Sequence, residues 1–145
     1  MNTEQLESHL ETAIKAALTG GKEILEVYNQ CADIEIEKKS DNSPLTLADR
    51  NAHTAISEML GITGLPVLSE EGKHIPYETR SRWDFFWLVD PLDGTKEFIR
   101  RNGEFTVNIA LINKDTPVAG IIYVPVTKEL YLGIVEKGAY KWQEI

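Results

Sequence analysis

Cysteine is nearly absent: Cys31 is the only one among 145 residues. One thiol closes no internal disulfide and offers no metal-thiolate pattern, so a reducing compartment suits the chain. Long apolar runs are missing too, and none approaches the about 20 residues that cross a bilayer as a helix. The amino terminus, Met1-Asn2-Thr3-Glu4-Gln5-Leu6-Glu7, lacks the basic start and apolar centre of a secretory leader. The expectation is a cytoplasmic protein without a transmembrane segment, with peripheral membrane attachment left open. Basic residues are outnumbered, 15 against 23 acidic, for a net charge of −8. That balance argues against a nucleic acid polymer as partner, because its phosphates need a clustered basic surface. A small anion can still be held locally. Lys38-Lys39 and Lys96 with Arg100-Arg101 form the two basic islands. Internal repeats, low-complexity tracts and linkers are also lacking, and the length suits one core.

What is present is clear periodicity. Over residues 4–29, Leu6, Leu10, Ile14, Ala17, Leu18, Ile24, Leu25 and Tyr28 recur at helical spacing, which predicts a long amphipathic helix kinked at Gly20-Gly21. Ile34 and Ile36 alternate with charges over 33–38, the pattern of a strand with one wet face. A second helix is expected over 47–60. Thr46 and Asp49 stand at its start, and Leu47, Ala48, Ala52, Ala55, Ile56, Met59 and Leu60 form its stripe, up to Gly61. Strands are expected over 83–89, 105–112, 118–124, 130–135 and 139–142. Their short connections favour hairpins. The predicted class is α+β, two amino-terminal helices packed on an antiparallel sheet.

One stretch carries chemistry. In Trp87-Leu88-Val89-Asp90-Pro91-Leu92-Asp93-Gly94-Thr95 an apolar strand breaks into a turn with two carboxylates three positions apart. Pro91 donates nothing to a sheet ladder and Asp93-Gly94 favours a turn. A short amphipathic segment over 96–101 follows, and N–H groups at its start would face an anion. The plainer reading is a strand, a turn and a helix capped by Asp93 or Thr95. A second acidic end, Pro66-Val67-Leu68-Ser69-Glu70-Glu71-Gly72, weighs against it, since two strand ends can share one rim. Glu70, Asp90 and Asp93 with the carbonyl of Leu92 are then an oxygen donor set of the kind Mg²⁺ prefers. His9, His53 and His74 fit no ligand spacing and are expected on helix faces or the surface.

Three segments, Ser40-Asp41-Asn42-Ser43-Pro44-Leu45-Thr46-Leu47-Ala48-Asp49, Leu68-Ser69-Glu70-Glu71-Gly72 and Asp90-Pro91-Leu92-Asp93-Gly94-Thr95, resemble in order and spacing those of the inositol monophosphatase superfamily of metal-dependent, typically lithium-sensitive phosphomonoesterases. Thr95-Lys96-Glu97-Phe98 and the run from Ile99 to Ile112 look like the CysQ-type 3′(2′),5′-bisphosphate nucleotidases of sulfur metabolism. The resemblance implies the amino-terminal domain of that fold, with Mg²⁺ held by Glu70, Asp90, Asp93 and the Leu92 carbonyl. It implies water positioned by Asp49 and Thr95, and substrate contacts from Glu70, Leu92, Asp93, Gly94 and Thr95. The implied reaction is hydrolysis of the 3′-phosphate of 3′-phosphoadenosine 5′-phosphate to AMP and phosphate. An inositol- or sugar-phosphate phosphatase and a noncatalytic metal- and phosphate-binding domain are the alternatives. The chain is roughly half the family's usual extent and lacks its downstream Trp-Asp segment. Residues 1–145 are therefore expected to be one amino-terminal domain without the carboxy-terminal one. Where the other half would pack, an uncovered apolar face and self-association are expected.

Overall fold

The computed structural model describes residues 1–30 and 43–143. The strand expected over 33–38, together with Cys31, Lys38-Lys39 and the 40–42 part of the first motif, lies outside the described residues. Helix α1, Thr3–Gln30, runs on through Gly20 and Gly21. These glycines serve packing. A Cβ on Gly20 would stand 2.6 Å from Ile56 Cδ1, and one on Gly21 2.5 Å from the Tyr123 ring. The pair lets α1 lie directly against helix α2, Pro44–Gly61, on one side and against strand β4, Thr116–Val124, on the other. Helix α2 starts three residues before its expected first residue. Ser43 is the N-cap, its Oγ accepting from the Thr46 backbone N–H, and Pro44 fills the first turn. Leu47, expected on the buried stripe, is instead 51% exposed.

The sheet has six strands in sequential order. Strand β1, Val67–Ser69, pairs in parallel with β2, Phe85–Asp93, while β3, Thr106–Asn113, β4, β5, Glu129–Ile134, and β6, Gly138–Gln143, continue as an antiparallel meander. The expected all-antiparallel sheet is corrected at β1. Its chain reaches β2 by a crossover through the short helix α3, Tyr77–Arg80, which no strong periodicity announces. Helices α1 and α2 pack on each other and on one sheet face, burying Trp87, Val89, Ile109, Leu111 and Ile121 beneath them. The opposite face is open, with Leu88, Ile122 and Tyr131 exposed. No helix among the described residues is long and apolar enough to cross a membrane.

Candidate metal and phosphate centre

Strand alternation decides where the carboxylates point. Ser69 pairs with Val89, both buried toward the helices, so Glu70 and Asp90, one residue on, belong to the open side. The Glu70 backbone N–H donates to the Val89 carbonyl at 3.0 Å, which holds Glu70 beside β2 just past the end of β1. In β2, Asp90 faces Asn108 and Asp93 faces Thr106. Three steps on β2 thus match two on β3, a β-bulge that inserts one residue at Pro91-Leu92. Proline suits the bulge because it has no N–H for the ladder. The bulge turns the second carboxylate onto the rim of the first. Asn108 Nδ2 then donates to Asp93 Oδ2 at 2.9 Å and fixes that side chain.

Gly94 follows with φ +96° and caps helix α4, Thr95–Arg100. A Cβ there would stand 3.2 Å from Phe105 Cα, so glycine is required both for the left-handed backbone and for the close approach. Phe98 anchors α4 in an aromatic trio with Tyr28 and Phe105, centroids 4.9 to 5.4 Å apart. Arg101 stacks its guanidinium 4.0 Å from the centre of the Tyr28 ring and donates to the Tyr28 carbonyl at 2.9 Å. It is a strut between α4 and α1, and only Lys96 and Arg100 of that basic island remain exposed.

Electrostatics ties the pieces together. The Asp90 carboxyl is pushed up from 3.8 to about 7, first by burial, then by a hydrogen bond with Glu70 and by the negative charges of Glu70, Asp93 and Asp49. Asp49, 1% exposed on α2, therefore lies within electrostatic reach of the same rim from the helix side. Among the described residues no three His, Cys, Asp or Glu side chains close on one point at ligand spacing. The carboxylates border one rim without closing on a single point. Donors that are all oxygen, several of them carboxylates, fit a hard cation such as Mg²⁺. Thr95 joins through the chain itself, opening α4 two residues after Asp93.

Two neighbours escaped the sequence reading. Asn108 was detectable in principle, being an amide inside an apolar strand. Its role needs the register that sets it opposite Asp90. His53 lies four residues after Asp49 on α2, and its Nδ1 is hydrogen-bonded to Ser69 Oγ at 2.8 Å. Of the other histidines, His9 meets Trp87 edge to face at 6.4 Å and His74 is exposed, as expected.

Comparison with known proteins places this geometry. The model of the inositol monophosphatase family matches residues 5–145. The 3′(2′),5′-bisphosphate nucleotidase CysQ of Salmonella typhimurium is 48% identical over 137 residues, covering 93% of this chain and 54% of the relative. The CysQ of Haemophilus influenzae is 37% identical over 136 residues, covering 92% and 50%. The crystal structure of CysQ from Bacteroides thetaiotaomicron superposes with a TM-score of 0.87 at 56% identity, over 95% of this chain and 50% of that one. For the suhB protein of Bartonella henselae the TM-score is 0.73 at 29% identity, over 91% and 50%. The chain spans about half the length of the curated relatives it matches.

Proposed function

Because this chain belongs to the inositol monophosphatase family, we propose that its carboxylate rim is the dication- and phosphate-binding part of a phosphomonoesterase acting on 3′-phosphoadenosine 5′-phosphate. The observation that carries the reading is the charge crowding at Asp90, where Glu70, Asp93 and Asp49 act on one carboxyl. Glu70, Asp90, Asp93 and the Leu92 carbonyl would hold Mg²⁺, with Glu70, Leu92 and Asp93 also bordering the substrate. When bound, the dication supplies a lowered pKa for the attacking water and charge compensation at the leaving oxygen. The chain's own groups do the rest. Asp49, buried on α2, and Thr95 would orient the water by hydrogen bonding for in-line attack on phosphorus. The leading N–H groups at Gly94-Thr95 would donate to the phosphoryl oxygens as a helix start does. Water attacks directly, the ester oxygen leaves, and AMP and inorganic phosphate result.

The similarity to CysQ proteins supports the bisphosphate over an inositol or sugar phosphate. Lys96 and Arg100, exposed on α4, are placed to meet a second phosphate. A cytoplasmic setting accords with that substrate. The bare sheet face supports self-association with a second copy. The test is lithium-sensitive phosphate release from 3′-phosphoadenosine 5′-phosphate against inositol monophosphate, on this chain and on a full-length relative. Faster release from the bisphosphate supports the reading, equal rates would reject the substrate, and no Mg²⁺-dependent release from this chain would make it a noncatalytic binding domain. Lys96→Ala should raise KM for the bisphosphate about tenfold, the scale of one charge-assisted contact, and leave KM for a simple monophosphate unchanged. Equal effects on both would remove Lys96 from that role.

A further inference from the structure

Helix α2 presents Asp49, His53 and Ser57 at four-residue intervals, one stripe along the helix. Asp49 lies within electrostatic reach of Asp90 on the carboxylate rim. One turn further, His53 Nδ1 is hydrogen-bonded to Ser69 Oγ at 2.8 Å, and Ser57 Oγ lies 3.5 Å from the same nitrogen. Ser69 is the last residue of β1 and immediately precedes Glu70. The turn that follows is closed by the Gly72 N–H donating to the Ser69 carbonyl at 3.0 Å. It also rests on the imidazole, for a Cβ on Gly72 would stand 3.2 Å from His53 Cε1 and 3.3 Å from the Ser69 oxygen. His53 thus touches the Glu70 turn at both ends, through the Ser69 hydroxyl before Glu70 and the Gly72 backbone after it.

We propose that His53 is a positioning residue for Glu70, setting the spacing between the Glu70 carboxylate on the sheet and the Asp49 carboxylate on α2. The link would otherwise depend on a three-residue strand and one backbone hydrogen bond, Glu70 N–H to Val89. A side-chain tie from the helix bearing the other carboxylate removes that freedom. Such partners behind a ligand set commonly change metal affinity by about 10–100-fold. The proposal rests on the dication reading of the rim, and the experiment separates the two.

Amide hydrogen exchange and Mn²⁺ titration by electron paramagnetic resonance should be run on the wild-type chain and on His53→Ala, Ser69→Ala, the double variant and His53→Asn. Exchange at the Glu70 and Gly72 amides is expected to quicken in His53→Ala while the β3–β4 ladder keeps its protection. Mn²⁺ affinity should fall about tenfold in each alanine variant and no further in the double, the mark of one shared interaction. His53→Asn, whose amide can still reach Ser69, should recover most of the loss. If His53→Ala fails to fold, Ser69→Ala carries the same comparison. Unchanged exchange at Glu70 and Gly72 with unchanged Mn²⁺ affinity would overturn the proposal. A wild-type chain that binds no Mn²⁺ would instead overturn the dication reading, and the proposal with it.

Discussion

Asp90 is where the site's physics concentrates. Its carboxyl, raised to about 7 mainly by burial, keeps its proton in the folded chain at pH values where the unfolded chain, near 3.8, has released it. Folding therefore takes up a proton between those two values, and on this group's account stability falls as pH rises from about 4 to about 7. Thermal melts across that window should show the decline in wild type, and Asp90→Asn should flatten it. Mg²⁺ must displace that proton, so it should raise the melting temperature more at pH 8 than at pH 5. In a full-length relative, replacing the equivalent of Asp90 by asparagine should lower Mg²⁺-dependent turnover by more than the about 10–100-fold typical of losing an outer partner. Retention of the wild-type rate would remove that carboxylate from the metal site.

Among the elements, α1 shows how packing outweighs propensity. Gly21→Ala should improve helix propensity by about 1 kcal/mol, yet its new methyl meets the buried Tyr123 ring at 2.5 Å. Overpacking of this kind costs about 1–3 kcal/mol, so chemical denaturation should show a net loss or at best no gain. The glycine pair was visible in the sequence and its use was not, because a kink and a close approach leave the same local signature. The long helices and the β2–β6 strands were legible from periods of 3.6 and 2. The parallel direction of β1 was not, since three residues carry no sign of their partner. Pro91, Asp93 and Gly94 marked an irregularity at Asp90 and Asp93, but the expected turn is a bulge within β2, which only the pairing with β3 reveals. His53 was not legible, because its meaning lies in Ser69, sixteen residues away in sequence and on another element.

At the scale of the molecule, one sheet face is covered by helices and the other is bare. A groove of about 820 Å³ runs along the bare face and includes Glu70, Asp90 and Asn108 at one end and Tyr140 at the other. Lys141 pairs with Glu129 at 2.7 Å across β5 and β6 at its margin. That bond, with those from Thr127 and Tyr131, holds the Glu129 carboxyl at about 2. So large an exposed apolar surface favours association, and sedimentation should show a concentration-dependent dimer. Tyr131→Ser should shift it toward monomer with the rim intact, whereas a wild-type chain monomeric at all concentrations would reject self-association.

The central claim, that separate segments bring their acidic side chains to one dication, is tested most directly by paramagnetic broadening of the amide resonances on adding Mn²⁺. The expected result is selective loss of signal at Asp49, at Glu70 and its turn, and from Asp90 to Thr95, reversed by excess Mg²⁺. Broadening centred elsewhere, or spread evenly over the acidic surface, would contradict it.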